Sequence, residues 1–492
     1  MDREEAKVCG AKWFPYNKGG EYRKWFGNQD YVVNWADDGK EVMDYAASLY
    51  GSPTRTIKSI SEYFKPCISW SKVATSDMAV RYFPPGFIFD VAGCCIFFKR
   101  ESKLALYLGF LNSVVANELL KNTSPTLNYE AGHLAALPIL DIPRELESKA
   151  LAVIHNAISI SHDDWDNFEN SWSFRDQPLL RPSLKATSLE ASWRNWDAHC
   201  RAVISRLKEL EAENSHLFIQ AYGLQDELSP EVPEEQITLA RADARRDMAA
   251  FLSYAIGCMM GRYSLDKPGL ILADADATVT DYLAKLGRSM DELTFQPDED
   301  GIVPVLDGEW FEDDVVARTR EFLRAAFGDA TLRDNIRFIE DSLGKDLRKY
   351  FLTDFYKDHL QIYKKRPIYW MVQSPRKSFS VLIYLHRYTR DTMNLVLNRY
   401  LREYEVKLRH RIEHLARVQA DANTSTRDKT AARKESDKLM KALHDCEEWE
   451  RQTVLPLAQA RIELDLDDGV KTNYLKLGEA MAPIPGLAAA EE

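Results

Sequence analysis

The chain has 492 residues, of which 45% are hydrophobic and 28% are charged. This composition excludes a disordered, collagenous or fibrous protein, and the length predicts about three domains. The formal net charge of −12 argues against a protein that binds polyanions over its whole surface. Residues 1–130 carry 16 Lys and Arg against 15 Asp and Glu, so the excess of acid lies elsewhere and a local cationic surface stays compatible with the acidic average.

The first residues lack the basic and apolar regions of a secretory signal. No stretch reaches the roughly 18–20 consecutive apolar residues that span a bilayer, so we expect a cytoplasmic protein without membrane contact. Seven cysteines form an odd set without CxxC spacing. This pattern predicts reduced thiols and favours neither a disulfide framework nor a structural zinc site.

Short apolar runs separated by Gly, Pro, Asn and Asp predict strands in the first part of the chain. These runs are residues 31–33, 68–70, 87–89 and 95–98. Leu104, Leu108, Leu111 and Val115 then recur at helical spacing, which predicts that this region ends in a helix. A boundary follows near Pro143, because proline interrupts regular structure.

The remainder of the chain has mainly helical periodicity. We expect a charged helix over 185–220, an amphipathic helix over 237–259, a surface loop over 296–309, helices over 311–360, a strand pair over 367–372 and 379–385, and a helical hairpin over 397–449. The sequence therefore predicts an α+β fold in which a mixed α/β domain precedes a predominantly helical region. The predicted domains are residues 1–143, a helical connector over 144–330, and a C-terminal domain over 331–492 with the strand pair and the hairpin.

No common catalytic motif is present, because the sequence contains no GxxxxGK[ST], GxGxxG, GxSxG, HExxH or deaminase zinc signature. An amino-methyltransferase that acts on a base needs a polar-Pro-Pro-aromatic motif, and the pair Pro84-Pro85 has the wrong residue on both sides. The sequence thus predicts no catalytic, cofactor-binding or metal-binding residue in this chain. Asp90, Glu101 and Lys103 loosely match a magnesium nuclease pattern, with a solvated turn as the favoured alternative.

The run from Lys12 to Trp25 interleaves four cations with five aromatic residues and the pair Gly19-Gly20. Cations contact phosphates, aromatic rings stack on exposed bases, and glycine allows backbone N–H groups to approach a phosphate. The alternative is that the aromatic residues form core and the cations a solvated face. The DNA-binding candidates of this region and its continuation are Lys12, Tyr16, Asn17, Lys18, Arg23, Lys24, Trp25, Arg55, Lys58, Lys72 and Arg81.

A second basic region lies near the predicted strand pair. Residues 333–390 hold 13 basic against 6 acidic residues, so the local excess of positive charge is real. Lys364, Lys365 and Arg366 precede the first strand and are candidates for contact with the DNA backbone. An intramolecular or solvated role is the alternative.

Five runs, taken together, resemble the PglX-type adenine-specific DNA methyltransferases of BREX phage-defence systems. They are residues 12–35, 164–174, 218–239, 255–270 and 365–392. The resemblance covers essentially the whole chain and matches the C-terminal part of that family. In such enzymes, a Rossmann-like domain with the S-adenosylmethionine loop and the catalytic Asn-Pro-Pro-Tyr motif precedes this part.

The resemblance implies that residues 1–143 form a target-recognition domain and that the helical remainder clamps DNA. It also implies double-stranded DNA as the partner, and methyl transfer from S-adenosylmethionine to the adenine amine by the complete enzyme. We expect no cofactor in this chain itself. A separate methyltransferase half or other BREX proteins are the expected protein partners. The alternative is a protein-interaction module of a phage-defence complex without its own catalysis.

Overall fold

The chain, described here from a computed structural model, is divided into two compact units. The structure describes residues 1–73, 77–123 and 128–487. The first unit comprises Met1–Ser173 and Trp196–Ala242, and the second comprises Phe174–Asn195 and Asp243–Glu492. Small sheets stand among many helices, which confirms the α+β fold class. The division into three domains stays a prediction.

The elements of the first unit come mainly from the N-terminal part of the chain. Its strands are β1 (Trp13–Asn17), β2 (Tyr31–Asn34), β3 (Cys67–Ser71), β4 (Arg81–Phe83), β5 (Ile88–Phe89) and β6 (Gly93–Phe97). Its helices are α1 (Arg3–Val8), α2 (Ala36–Tyr50), α3 (Glu101–Leu111), α4 (Val114–Thr123), α5 (Ala131–Ala135), α6 (Arg144–Trp165) and the part of α7 (Leu189–Tyr222) from Trp196 onward, with 3-10 turns at Pro53–Arg55, Ile60–Glu62 and Glu234–Gln236. The strands expected in this region are therefore present.

Two three-stranded sheets organise the first unit. β1 lies between β2, which is antiparallel with Tyr16 opposite Tyr31, and β5, which is parallel with Tyr16 opposite Ile88. β3 lies between β4 and β6 and is antiparallel to both, with Cys67 opposite Phe83 on β4. The central position of β1 places the start of the cationic and aromatic run inside a sheet.

The helix expected through Leu104 and Val115 is two helices, α3 and α4, separated at Asn112. The Asn112 side chain exchanges two hydrogen bonds with the backbone of Val80, accepting at 3.1 Å and donating at 3.0 Å. Asparagine side chains compete in this way with regular helical bonding. These bonds connect the end of α3 to Val80, the residue before β4. Leu108 on α3 and Ile154 on α6 are fully buried in the core between the two helices.

The second unit is predominantly helical. Its helices are α8 (Ala244–Met259), α9 (Val279–Leu286), α10 (Val315–Phe327), α11 (Leu332–Leu343), α12 (Leu347–Thr353), α13 (Phe355–Ile362), α14 (Thr392–Leu395), α15 (Arg402–Ala420), α16 (Thr426–Trp449), α17 (Leu455–Ala460) and α18 (Gly469–Leu477). π-Helical segments occupy Val396–Leu401 and Glu450–Val454, and 3-10 turns occupy Pro178–Leu180, Met290–Glu292, Asp329–Thr331, Leu385–Arg387, Leu466–Asp468 and Gly478–Ala480. Its strands are β7 (Ile302–Pro304), β8 (Tyr369–Gln373) and β9 (Ser380–Tyr384).

The expected strand pair is confirmed, since β8 and β9 are antiparallel with Tyr369 opposite Tyr384. The expected surface loop over 296–309 is wrong in part, because it contains β7, whose three buried residues pair with the other side of β9. Asp298 is buried just before β7, and its Oδ1 accepts a hydrogen bond from the backbone N–H of Gly301 at 2.7 Å. A short apolar run became a third strand because β9 had a free edge to pair with.

The predicted C-terminal hairpin is confirmed as α15 and α16, which pack against each other. Ser425 begins the second arm by accepting from the backbone of Asp428, as an N-cap residue does. The helix predicted over 237–259 begins later, at Ala244. Asp243 sets that start, because its side chain accepts from the backbone of Arg246 at 2.7 Å.

Within the described part of the chain, no helix is long and apolar enough to cross a lipid bilayer. The seven cysteines are free thiols, four of them buried.

His359 on α13 is fully buried and uncharged. Its Nε2 accepts from the backbone N–H groups of Ile368 and Tyr369, both at 3.2 Å. Burial, reinforced by the nearby Arg262 guanidinium, lowers the pKa of His359 to about 3. The neutral ring thereby ties α13 to the start of β8.

This arrangement predicts acid sensitivity of the second unit. The unfolded chain takes up a proton near the ordinary pKa of 6.5 and the folded chain does not, so the free energy of unfolding falls as the pH falls below 6.5. The contribution of His359 to this loss is roughly 2 kcal/mol between pH 7 and pH 5, measured in urea denaturation as the difference between the wild-type and His359→Gln profiles. Burial also lowers the pKa of His386 to about 4, which acts in the same direction, and raises the pKa values of Asp300 and Glu405 to about 7, which acts in the opposite direction. His359→Gln, which keeps an acceptor, should flatten the profile, whereas His414→Gln at an exposed position should not. An unchanged profile in His359→Gln would contradict this assignment.

Candidate nucleic-acid interface

The cationic and aromatic run is anchored by one buried carboxylate, Glu211 on α7. Lys24 is only 3% exposed, and its Nζ lies 2.7 Å from Glu211 Oε2. Trp25 donates its indole N–H to Glu211 Oε1 at 2.8 Å. Burial alone would lower the pKa of Lys24, but the carboxylate outweighs it and the pKa is raised, so the amine stays charged. Both predicted DNA contacts are thus engaged inside the fold.

Three further candidates also use their polar groups internally. Arg81 is 1% exposed and donates to main-chain carbonyls of the run and to a serine hydroxyl. Asn17 is fully buried and donates to Ser69 Oγ at 2.7 Å. The Tyr16 hydroxyl donates to Asp90 at 2.7 Å, and burial together with this bond raises the pKa of Tyr16.

The Gly19-Gly20 pair forms hydrogen bonds within the first unit. Gly19 donates its backbone N–H to Asn17 Oδ1 at 3.2 Å, and Gly20 donates to Ser71 Oγ at 3.0 Å. Gly19 has a φ of 73°, and a Cβ there would lie 2.7 Å from the carbonyl oxygen of Ala92. The pair therefore permits a close backbone approach, and its N–H groups already have acceptors, contrary to the expectation that they face a phosphate.

The acidic arrangement considered for magnesium is also explained by local structure. Asp90 accepts from Tyr16 with one oxygen and from the backbone of Ala92 with the other, at 2.7 Å each. The side chain of Glu101 lies outside the described residues. Across the described ranges, no group of three His, Cys, Asp or Glu side chains is placed to hold a metal ion.

Two candidates are paired with carboxylates and remain partly accessible. Arg23 lies 3.4 Å from Asp164, and its guanidinium stands 5.0 Å from the centre of the Trp165 ring. Lys72 lies 2.9 Å from Glu130. Both side chains keep part of their surface in solvent.

Four candidate cations of the first unit remain, and three of them are exposed. Lys18, Arg55 and Lys58 are exposed, whereas Lys12 is half-buried beside the Trp13 ring. Lys18 Nζ lies 5.7 Å from the centre of a tyrosine ring, and Arg55 lies 5.8 Å from another. A cation held over a ring face can still turn N–H groups towards solvent or a phosphate.

In the second unit, Lys364, Lys365 and Arg366 are exposed in the turn between α13 and β8. Lys364 has a φ of 50° and Lys365 a φ of 64°, so the turn is left-handed. Non-glycine residues adopt this conformation at a cost, and such positions occur often at functional sites. The structure thus presents the predicted basic triplet to solvent.

A further cationic surface was missed by the sequence reasoning. We name it the arginine groove, a cleft of about 470 Å³ between α10 and α11. Its cationic residues are Arg320, Arg324, Arg333 and Arg337. The signal was available, because each helix carries two arginines at i, i+4 spacing, which places them on one face. The charge count over residues 333–390 included only the second pair, Arg333 and Arg337, so the first pair on α10 was overlooked.

Three of the groove arginines are paired with exposed acidic side chains, Arg320 with Glu309 at 3.1 Å. Arg324 lies 3.0 Å from Asp329, and Arg337 lies 2.6 Å from Asp334. Exposed ion pairs contribute only about 0–1 kcal/mol, so an incoming phosphate can replace such a carboxylate at little cost. Guanidinium groups suit this exchange because they bind phosphate oxygens in a bidentate manner.

The buried pair allows a stability prediction. Lys24→Met should lower the free energy of unfolding of the first unit by about 3–5 kcal/mol, because Glu211 is left buried without its counter-ion. Denaturant titration measures the loss. The double variant with Glu211→Gln should recover part of it, since the amide oxygen still accepts from Trp25.

The matched control is Lys121→Met, which breaks an exposed ion pair with Glu118. It should cost less than about 1 kcal/mol. Equal losses in Lys24→Met and Lys121→Met would show that the Lys24 pair does not hold the fold.

Comparison with known proteins places these surfaces in context. No protein-family model matches the chain. The chain is 35% identical over 478 residues to the adenine-specific methyltransferase PglX of Lacticaseibacillus casei (strain Zhang), an alignment that covers 94% of this chain and 38% of that protein. It is 34% identical over 521 aligned residues to the adenine-specific methyltransferase BrxX of Escherichia coli O9:H4 (strain HS), covering 97% of this chain and 40% of that protein. The chain therefore spans about two fifths of the length of these relatives.

Proposed function

We propose that this chain, which is related over almost its whole length to the PglX-type adenine-specific methyltransferases, is the DNA-binding and sequence-recognition portion of such an enzyme. In the complete enzyme, a methyl group passes from S-adenosylmethionine to the exocyclic amine of adenine in double-stranded DNA, in the cytoplasm. The methyl-transfer chemistry belongs to a part of the enzyme outside these 492 residues. The observation that carries the proposal is the presence of exposed cations on both units of an acidic protein.

In the first unit, Lys18, Arg55 and Lys58 contact phosphates and fix the position of the duplex. Phosphate contacts orient a protein on DNA, while side chains that reach the base edges read the sequence. The burial of Lys24 and Arg81 supports leaving them out of the contact set, because the two side chains are 3% and 1% exposed and both donate to acceptors inside the protein. These residues hold the recognition surface in shape.

In the second unit, the basic triplet Lys364–Arg366 and the arginine groove contact the DNA backbone. The triplet is exposed on a turn, and the groove offers guanidinium groups whose acidic partners are themselves exposed. Both features suit a clamp that binds any sequence with similar strength. Sequence preference is then left to the first unit.

The absence of a catalytic motif supports placing the chemistry elsewhere. The pair Pro84-Pro85 stands between the fully buried Phe83 and Gly86, so no polar residue precedes it to hold an adenine amine. The enzyme must flip the target adenine into a catalytic pocket, which is a task for the methyltransferase half. We assign no S-adenosylmethionine contact to this chain.

Salt dependence tests the phosphate contacts. Lys18→Ala should weaken binding to duplex DNA and flatten the plot of log affinity against log salt by about 0.9 for each phosphate that is no longer neutralised. The pair Arg333→Ala and Arg337→Ala should flatten it further for the same reason. Lys121→Ala, which removes an equal charge from an exposed ion pair, is the control and should leave the slope as in the wild type. Wild-type slopes in both the Lys18 variant and the double arginine variant would refute the assignment.

Methyl transfer tests the division of labour. Labelled S-adenosylmethionine and unmethylated duplex DNA are combined with this chain alone, and then with a separately expressed methyltransferase half. We expect DNA binding by the chain alone and methylation only when the second half is added. Methylation by this chain alone would contradict the proposal. Absence of DNA binding, with other proteins retained after nuclease treatment, would favour the protein-interaction alternative.

A further inference from the structure

Two of the runs that carry the family resemblance, residues 12–35 and 164–174, meet at one cleft within the first unit. The cleft has a volume of about 480 Å³, inside the range of about 300–1,000 Å³ that is typical of small-molecule pockets. We name it the aromatic cleft. Its walls include Phe26, Tyr82, Phe87, Trp165 and Trp172, together with Gln29. None of the proposed phosphate contacts lines it.

The ring geometry of the cleft suits a flat ligand. Phe87 and Trp172 are nearly parallel, with centroids 5.8 Å apart and an interplanar angle of 20°. Trp172 is 47% exposed, so an incoming ring can lie against it and extend the stack. Phe26 and His162, which also line the cleft, meet edge to face with ring centroids 4.4 Å apart.

Gln29 adds a polar requirement. It is 7% exposed and lines the cleft, and its amide nitrogen Nε2 is buried without a hydrogen-bond partner among the described residues. Buried amide donors almost always have acceptors, so this exception calls for one. Ring nitrogens and carbonyl oxygens of nucleobases are such acceptors. An aliphatic ligand would leave the amide unsatisfied.

Charge near the cleft also fits a nucleotide. Arg23 stacks on Trp165, with its guanidinium 5.0 Å from the ring centre, and so places a cation behind one wall. His162 lies 3.4 Å from Asp166, whose other contact is the hydroxyl of Ser171 at 2.5 Å. The nearest acid at the cleft is therefore already engaged with protein groups.

We propose that the aromatic cleft binds one unstacked nucleobase of the DNA held by the first unit. The base stacks on the exposed Trp172, and the Gln29 amide, whose Nε2 is covered by protein in this structure, turns into the cleft to donate to it, while the phosphates stay at the rim. This inference rests on the proposed DNA-binding function and adds a base-binding subsite to it. An aliphatic side chain of a protein partner is the competing occupant, and binding measurements with the two kinds of ligand separate them.

The test compares two labelled single strands of equal length and charge, by fluorescence anisotropy with the full chain. One is a short oligothymidine, and the other has abasic sites at its central positions. The wild type should bind the strand with bases roughly 5- to 150-fold more tightly, the range expected for stacking one base on an aromatic side chain. Trp172→Ala should abolish most of this preference, and Trp172→Phe should keep part of it.

Gln29→Leu should reduce the preference by roughly 2- to 10-fold, since it removes the donor but keeps the volume. Tyr45→Ala, which deletes a ring exposed on α2 and outside the cleft, is the control and should leave it unchanged. Circular dichroism and thermal unfolding confirm that each variant is folded.

Equal affinity of the wild type for the two strands, with salt-dependent duplex binding intact, overturns the base-binding cleft and leaves the proposed function standing. Shielding of Trp172 by a leucine-rich peptide, with no preference between the strands, overturns it in favour of protein docking. Failure of the wild type to bind any DNA at low salt overturns the proposed function itself.

Discussion

The first unit depends on one buried carboxylate. Glu211 accepts from Lys24 and from the Trp25 indole, and both of its partners belong to the same short segment of the chain. A buried charge is tolerated only when it is paired and hydrogen-bonded, so this helix residue holds the segment in one position. Because Lys24 and Trp25 are fixed by Glu211, the residues that follow them have little freedom. Phe26 and Gln29 in this stretch line the aromatic cleft.

Burial also separates candidate cations of the first unit from one another. Lys24 and Arg81 are engaged with internal acceptors, whereas Lys18, Arg55 and Lys58 remain at the surface. Residues that look alike in a basic and aromatic run therefore have different roles. The buried members shape the surface, and the exposed members are available to a polyanion. Positive charge is thus concentrated locally on a protein whose net charge is −12.

Much of the fold was accessible from periodicity and turn residues. β8 and β9 are bounded by clear turn signals, and the α15 and α16 hairpin has long helical stripes on either side of a polar turn. The errors occurred where a distant partner decided the outcome. Asn112 breaks a helix because Val80 is beside it, and β7 forms because β9 offers an unpaired edge. A pattern within a short stretch of sequence does not identify partners that lie far away in the chain.

The sequence by itself determined the relationship to the PglX-type methyltransferases, the α+β class and the candidate cations and aromatic residues, since these depend on local pattern and composition. Only the tertiary structure decided which of those residues are available. Burial separated Lys24 from Lys18, helix packing joined two arginine pairs into one groove, and the fold brought Gln29 beside Trp172 from segments far apart in the chain. Exposure and proximity are properties of the packed chain, because they arise from contacts between residues distant in sequence.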